Sequence, residues 1–308
     1  FIDALLEFSL PSILQEKNIP SIVGKGYQVI IKIYVKTKHE KDKILKHSTY
    51  NKLITFSKVE IICLDEKNIL TKYSGYFNLY KYFLSKDSVF KYLALSSAFK
   101  LASEENAPLF FVNPDDFYGN GSLSNIVELP KSNKDVLIAQ HLRVNWDSAL
   151  SLIKSKFEAD PNCTVNNREL VQIGITHMIE GQKNAIEQND SFGLNGLHIK
   201  KINENTYAVT SSRPCAIFGG ISKSDLSFFR KFKNYNYIDY LWPRKLIKDG
   251  RAKYVCDSDI FFKIELAEAS NYKSMKISKT DLIKNPYGGS RRVLNHKISE
   301  LITFFFKI

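Results

Sequence analysis

The order of apolar segments in residues 1–145 constrains the fold more than any other feature of the sequence. Residues 28–36 are rich in Val, Ile and Tyr and predict a buried strand, and a charged stretch with helical spacing follows. A second strand is predicted at 59–64, a long helix at 85–106 and an apolar strand at 107–112. Strands that alternate with helices are typical of a parallel sheet with crossover helices. We therefore expect an α/β fold whose mostly parallel central sheet is flanked by helices.

The second half of the chain, residues 146–308, has a less regular pattern of helices and strands. Two alternating stretches around Asn203-Glu204-Asn205 predict a hairpin, and the tail that starts at Lys279 is predicted to end in a helix. No internal repeat or low-complexity linker separates the two halves. We expect a single continuous domain in which an α/β half, residues 1–145, leads into an elaborated mixed α+β half.

The composition indicates a globular chain with a basic surface. Lys and Arg number 44 and Asp and Glu number 32, which gives a formal net charge of +12. Excess positive charge attracts anionic partners, but here the basic residues are interleaved with acidic ones instead of forming a tail. This distribution predicts a solvated surface, and no nucleic-acid partner is expected.

The cysteines and the apolar runs indicate a cytoplasmic location. The four cysteines are far apart and form no CxxC pair, so neither a cysteine-rich zinc site nor a disulfide framework is expected. Apolar runs such as 301–306 are too short to span a bilayer, and no secretory signal is visible. The basic segments 242–245 and 290–292 leave open a peripheral contact with the anionic inner face of a membrane.

The strongest candidate for a functional site is the acid pair Asp115-Asp116, which directly follows the predicted strand at 107–112. Ligands of open α/β sheets bind beyond the carboxyl ends of the strands. Carboxylate oxygens suit Mg²⁺ or Mn²⁺, and these ions commonly also hold substrate phosphates. The pattern therefore predicts a metal at Asp115 and Asp116 that neutralises a diphosphate leaving group. A Pro-Asp-Asp turn without a ligand is the alternative interpretation.

The same stretch resembles the metal-binding strand end of GT-A glycosyltransferases, and the chain is also similar to bacterial glycosyltransferases with a leading "SLPSLL…GN(I/L)PAL" segment. The matching pieces, in chain order, are Ser9 to Leu14, Asn18 to Ile22, Pro114-Asp115, Gly121-Ser122-Leu123, Asp257-Ser258-Asp259 and Glu265. A literal DxD is missing around Asp115, where the sequence reads Asn-Pro-Asp-Asp-Phe.

The resemblance implies a GT-A-like, Rossmann-like fold and transfer of a sugar from a nucleotide-sugar donor. The donor would bind to residues 1–145 with Mn²⁺ or Mg²⁺, and residues 146–308 would bind a glycan or lipid-linked acceptor. A role in surface polysaccharide biosynthesis is the expectation that follows.

Five further residues are candidates around this chemistry. Asp257 and Asp259 form a literal DxD and point to one side of an extended chain, so they could share a metal or supply a catalytic base. A turn between two strands is their alternative interpretation. Asp239 is a candidate for orienting the acceptor. His141, which follows a predicted strand, and Arg213, whose guanidinium suits phosphate, are candidates for donor binding.

Two other functions remain open from the sequence alone. Pro114-Asp115 with a later acidic strand resembles the PD-(D/E)xK pattern of metal-dependent nucleases, although Lys263 and Glu265 stand in the reverse order. A non-catalytic carbohydrate-binding domain is the third interpretation, because several Tyr residues and Trp242 cluster at 235–242 and aromatic rings can stack on sugars.

Overall fold

The computed structural model describes residues 2–64, 86–132, 134–160, 162–183, 186, 191–192, 197–211, 215–231, 235–268, 277–278 and 302–308. At 86–89, 191–192, 230–231, 235–240 and 277–278 it describes the backbone alone. None of the helices within these ranges combines the length and the apolar character that crossing a membrane requires.

The helices lie mainly in the first two thirds of the chain and a π-helical turn, Leu5–Ser9, joins the first two of them. They are α1 (Ile2–Ala4), α2 (Leu10–Ile13), α3 (Ile19–Gly24), α4 (Lys38–Lys46), α5 (Ser48–Phe56), α6 (Lys86–Glu104), α7 (Ser122–Ile126), α8 (Trp146–Ala159), α9 (Asn167–Thr176), α10 (Glu180–Lys183), α11 (Lys223–Lys231) and α12 (Tyr235–Lys248). The predicted long helix at 85–106 is thus confirmed as α6.

The strands are short and form several small sheets. They are β1 (Ile30–Val35), β2 (Lys58–Cys63), β3 (Leu109–Phe110), β4 (Asp116–Tyr118), β5 (Val136–Ala139), β6 (Leu142–Asn145), β7 (Ser191–Phe192), β8 (Leu197–Asn203), β9 (Thr206–Ser211), β10 (Cys215–Gly219), β11 (Ala252–Tyr254), β12 (Lys263–Ala267), β13 (Ile277–Ser278) and β14 (Ile302–Lys307). The predicted hairpin around Asn203-Glu204-Asn205 is confirmed by the antiparallel pair β8–β9.

The first crossover unit forms as the alternating pattern predicts. Strands β1 and β2 pair in parallel, and helices α4 and α5 connect them. Helix α4 starts at a capping box, in which Thr37 Oγ1 accepts from the Glu40 amide at 3.1 Å and Glu40 accepts from the Thr37 amide at 3.2 Å. The local sequence therefore determines where α4 starts. Helices α4 and α5 then bring the chain back to the edge of β1, where β2 pairs with it in parallel.

The expected mostly parallel central sheet is wrong, because among the described strands only the two-stranded β1-β2 sheet is parallel, and every other sheet is mixed or antiparallel. In the four-stranded sheet β11-β5-β10-β3, strand β10 pairs antiparallel with both β3 and β5, while β11 pairs in parallel with β5. Strands β3, β5 and β11 thus run in one direction and β10 runs in the other. Strand β10 follows the β8–β9 hairpin instead of a crossover helix, so the chain enters this sheet in the reverse direction.

A second mixed sheet joins the two halves of the chain. Strand β12, from the second half, lies between β4 and β6, antiparallel to β4 and parallel to β6. The largest core cluster likewise combines Phe8 and Phe117 from the first half with Phe262 and Phe304 from the second. The two predicted halves are therefore interleaved in shared sheets and in a shared core.

The predicted helix at the end of the tail is wrong, because residues 302–307 form strand β14. The strand pairs antiparallel with β9 and shows a period of two in its burial. Phe304 and Phe306 are 1% and 2% exposed, whereas Phe305 between them is 46% exposed. The mostly apolar run at 301–306 fits a helix or a strand equally well, and pairing with β9 decides the outcome.

Gly119, directly after β4, has no room for a side chain. A Cβ atom added there would lie 1.9 Å from Asn167 Oδ1 and 3.0 Å from Asn167 Cα.

We expect Gly119→Ala to lower the free energy of unfolding by roughly 1–3 kcal/mol in urea denaturation. Gly24→Ala is the matched control, since nothing lies within 4 Å of its Cβ position, and an equal loss in both variants would contradict this explanation.

Candidate functional site

The register of the β4-β12-β6 sheet places a row of charged residues side by side. Glu265, on the central strand β12, lies opposite Asp116 on β4 and opposite Arg143 on β6. Lys263, two residues earlier on β12, lies opposite Tyr118. Residues two apart on a strand point to the same face, so one face of this small sheet carries all five groups.

Asp116 is completely buried and is held by three donors. Its Oδ2 atom lies 2.7 Å from Lys263 Nζ, 3.0 Å from the Tyr118 hydroxyl and 3.1 Å from the Asn113 amide. Lys263 is 4% exposed, so this ion pair is shielded from water. Burial raises the pKa of Tyr118 well above its ordinary value, and the charge of Asp116 adds to the effect, so the hydroxyl remains a proton donor. A buried carboxylate oxygen with three donors holds the residues around it in place.

Glu265 is held between two cationic groups. One carboxylate oxygen lies 2.7 Å from His141 Nε2 and the other lies 2.9 Å from Arg143 Nε. Burial alone would raise the pKa of Glu265, but the hydrogen bond and charge of His141, followed by the charge of Arg143, hold it below its usual value. Burial also lowers the pKa of His141, yet the neighbouring Cys215 and Glu265 outweigh it and raise that pKa to about 9.

Asp115 differs from its neighbour because its carboxylate makes no ion pair with a residue that the structure describes. It is half-buried, and its backbone carbonyl accepts from the Leu266 amide at 2.8 Å, which ties it to β12. Burial, followed by the charges of Asp116 and Glu265, raises the pKa of Asp115 to about 7. Asp115 is therefore the member of the acid pair that has capacity for a ligand.

Two buried oxygen atoms beside this group also have unused hydrogen-bonding capacity. Asp116 Oδ1 and Gln140 Oε1 are buried without a hydrogen-bond partner in the described part of the chain. Buried polar atoms are nearly always paired in folded proteins, so unpaired ones indicate a bound ligand, water or ion. These two oxygen atoms can only accept, whereas His141 Nδ1, also buried without a partner in the described part of the chain, donates when the ring is protonated.

Asp115 and the buried Oδ1 atom of Asp116 are the oxygens at this strand end that Mg²⁺ or Mn²⁺ would use, and the substrate would have to complete the coordination. Asp115 and Asp116 Oδ1 offer carboxylate oxygens, and two carboxylates with substrate phosphates are a common way to hold Mg²⁺. Across the described ranges, no group of three or more His, Cys, Asp or Glu side chains is arranged to hold a metal ion. A cation here would therefore depend on phosphate oxygens from a bound donor.

The literal DxD at Asp257 and Asp259 lies in a different set of contacts. Lys307 Nζ lies 2.6 Å from Asp257 Oδ2 and 3.1 Å from Asp259 Oδ2. Arg168 also donates to Asp259 through Nε, at 2.9 Å, and through Nη2, at 3.0 Å. Hydrogen bonds from Arg168 and then Lys307 lower the pKa of Asp259. A carboxylate with a lowered pKa is a weak base near neutral pH, which argues against Asp259 as a catalytic base. Asp257 binds Lys307 of β14, and Asp259 binds both Lys307 and Arg168 of α9.

The remaining candidates from the sequence have different outcomes. His141 is placed beside Glu265 in the charged row. Arg213 lies outside the described residues, and Asp239 has its backbone in α12 but its side chain is outside the description. Trp242 of the segment 242–245 is buried, and its Nε1 donates to Asp225 Oδ1 at 3.0 Å.

Sequence reasoning missed the side chains that hold Asp116 and Glu265 in place. Lys263, Arg143 and Tyr118 are separated from each other by up to 145 positions, the span from residue 118 to residue 263, and meet through strand register alone. The available signal was Lys263-Ile264-Glu265, two charged residues with a spacing of two inside an otherwise apolar strand. Charges in a buried strand require partners, and an acid pair after another buried strand could supply them.

Comparison of the chain with protein-family models, curated proteins and solved structures finds no match. The side chains of the site and their geometry are therefore the basis on which a function is assigned.

Proposed function

We propose that the protein is a glycosyltransferase that binds a nucleotide-sugar donor beside Asp115 and transfers the sugar to a glycan or lipid-linked acceptor. The observation that carries this proposal is the half-buried Asp115 carboxylate. Its pKa is raised to about 7, and it makes no ion pair with a described residue. The next residue, Asp116, has a buried Oδ1 atom without a hydrogen-bond partner in the described part of the chain. Carboxylates in this state gain stability when a cation or a donor group approaches them.

The strand ends around Asp115 support a donor site. Strands β3, β5 and β11 run in one direction, so their carboxyl ends lie at one edge of the sheet. Asp115 follows β3, His141 follows β5 and Asp257 follows β11. Ligands of α/β sheets bind beyond this edge, and we infer a GT-A-like arrangement in which the donor lies there.

The contacts among the motif pieces give independent support. Ser9 Oγ donates to the Asn113 carbonyl at 3.0 Å, and Asn125 Nδ2 donates to the Ile260 carbonyl at 3.1 Å. The leading segment, the Pro-Asp strand end and the region after the later DxD are far apart in sequence but touch in the fold. The leading segment therefore contacts the residue before Pro114, and residues that follow the 121–123 and 257–259 pieces contact each other.

In the proposed reaction, each side chain has a limited role. Asp115 and Asp116 Oδ1 would hold Mn²⁺ or Mg²⁺ together with the donor diphosphate, and the ion would supply charge neutralisation as the nucleoside diphosphate departs. Lys263 and Tyr118 keep Asp116 in place, and Arg143 and His141 keep Glu265 in place. The other roles stay predictions: Arg213 as a diphosphate ligand, and Asp239, Asp257 and Asp259 in acceptor binding or catalysis. A cytoplasmic location and contact with a membrane also stay predictions.

The nuclease interpretation receives one supporting observation and one opposing it. The structure brings Lys263 and Glu265 next to Asp116, as a metal-dependent nuclease would require. However, the Lys263 side chain is buried and its Nζ atom is bound to Asp116, so it cannot meet a phosphodiester without breaking that pair. We therefore retain sugar transfer as the proposal.

Thermal unfolding in the presence of nucleotide sugars tests the proposal. UDP-, GDP- and CMP-sugars are screened with Mn²⁺, with Mg²⁺ and with a chelator. A donor at about 100 times its Kd should stabilise the protein by about 2.7 kcal/mol, and Asp115→Ala should remove this effect. Stabilisation by free glycans without any response to nucleotides would favour a carbohydrate-binding domain, and no response to any nucleotide would contradict the transferase proposal.

A further inference from the structure

Asn18, a buried side chain of the N-terminal segment, makes hydrogen bonds to three residues of the turn at residues 119–123. Asn18 is fully buried, and its Nδ2 donates to the Ser12 carbonyl at 2.8 Å and the Gly119 carbonyl at 3.1 Å. Its Oδ1 accepts from the Gly121 amide at 3.1 Å and the Leu123 amide at 3.0 Å. A side-chain amide has two donor hydrogens and two acceptor lone pairs, so the capacity of Asn18 is completely used.

Two neighbouring side chains extend this contact to both ends of the acid pair. Ser9 Oγ donates to the Asn113 carbonyl, two positions before Asp115. Gln15 Nε2 donates to the Tyr118 carbonyl at 2.9 Å, two positions after Asp116, and Gln15 Oε1 accepts from the Val165 amide at 2.6 Å. The N-terminal segment therefore brackets the strand end on which Asp115 lies.

The turn is also joined to the start of β12. Ser122 Oγ lies 3.0 Å from the Phe262 amide and 2.9 Å from its carbonyl, and the Gly119 amide donates to the same carbonyl at 3.1 Å. Lys263, the next residue, is the partner of Asp116. Displacing the turn would therefore move β4 relative to β12 and change the distance between the acid pair and its cations.

We propose that Asn18 is a positioning residue for the donor site, which acts by fixing the 119–123 turn so that Asp115 stays at the strand-end edge. This inference rests on the proposed function. Asn18 contacts backbone atoms of the turn and of Ser12, and its role is transmitted through them. A stability role alone would lower the fraction of folded protein, whereas a positioning role also lowers the turnover of the folded molecules.

The test compares Asn18→Ala, the milder Gln15→Ala and the control Asn51→Ala, whose side chain is exposed on α5. At a temperature far below unfolding, Asn18→Ala should lower kcat about 10- to 100-fold, because small displacements of catalytic groups carry penalties of this size. The donor KM should change much less than kcat. Hydrogen exchange at the Gly121 and Leu123 amides should accelerate, since both lose their acceptor. Gln15→Ala should show smaller changes in the same direction.

A double variant separates positioning from general weakening. If Asn18 acts through Asp115, then adding Asn18→Ala to Asp115→Asn should cause little further loss of kcat. Additive losses, unchanged kcat per folded molecule, or unchanged exchange at Gly121 and Leu123 would overturn the inference. If the wild-type chain binds no nucleotide sugar, the proposed function fails, while the exchange measurement still decides whether Asn18 holds the turn.

Discussion

Replacing Lys263 with methionine should lower the free energy of unfolding by about 3–5 kcal/mol, because it leaves the buried Asp116 carboxylate without its cation. Methionine is close to lysine in length and fills the same apolar space, so the change removes charge more than volume. The Tyr118 hydroxyl and the Asn113 amide would remain as donors to Asp116, but neither carries a positive charge. Urea denaturation measures the loss.

A matched pair and a double variant test the cause of this loss. Lys156 and Glu169 also pair at 2.6 Å, but both are about one-third exposed, so Lys156→Met should cost less than about 1 kcal/mol. The double variant Asp116→Asn with Lys263→Met removes both charges and should recover most of the stability. Equal losses for Lys263→Met and Lys156→Met, or no recovery in the double variant, would show that charge burial is not the reason.

Replacing Asp115 with asparagine should weaken donor binding roughly 10- to 100-fold, because a hydrogen bond or ion contact to a charged group contributes about 1.5–3 kcal/mol. The same variant should be more stable than the wild type at pH 8. The pKa of Asp115 is raised to about 7 by burial and by the charges of Asp116 and Glu265, so the folded protein favours the protonated carboxyl. A gain in stability with a loss of binding is the combination expected of a strained functional residue.

The sign of the pH effect follows from this raised pKa. Below about pH 4 the carboxyl is protonated in both the folded and the unfolded chain and costs nothing. As the pH rises from about 4 to 7, the unfolded chain ionises first, and the folded state loses stability relative to it until about pH 7. Asparagine does not ionise, so the variant should gain roughly 2–4 kcal/mol relative to the wild type at pH 8 and little at pH 4.

Asp160→Asn is the control for this experiment. Asp160 is exposed, and its Oδ1 accepts from the Asn162 amide at 2.9 Å, a contact that asparagine can keep. Its stability should hardly differ from that of the wild type at either pH. Urea denaturation at pH 4 and pH 8 gives the stabilities, and thermal shifts with the donor give the binding. A less stable Asp115→Asn at pH 8 would show that the ionised carboxylate already has a favourable partner in the fold.

Several parts of the fold and site could be predicted because their signal is local. Strands β1 and β2, helix α6 and the β8–β9 hairpin each carry their own periodicity, caps or turn residues, so they form where the pattern places them. The acid pair after an apolar strand was also visible, since a buried strand that ends in carboxylates is a local feature. Its chemical state was not visible, because the pKa of Asp115 depends on Asp116 and on the distant Glu265.

The sequence by itself determined where strands β1 and β2, helix α6 and the β8–β9 hairpin form, and that two carboxylates follow strand β3. Only the tertiary structure decided the reversed direction of β10, the place of β12 between β4 and β6, and the strand in place of a helix at 302–307. It also decided that Lys263 neutralises Asp116, while Asp115 has no ion-pair partner among the described residues. The literal DxD binds Lys307 and Arg168, which the sequence did not show either. The physical reason is that periodicity reflects burial along one element, whereas pairing and charge neutralisation depend on which elements meet.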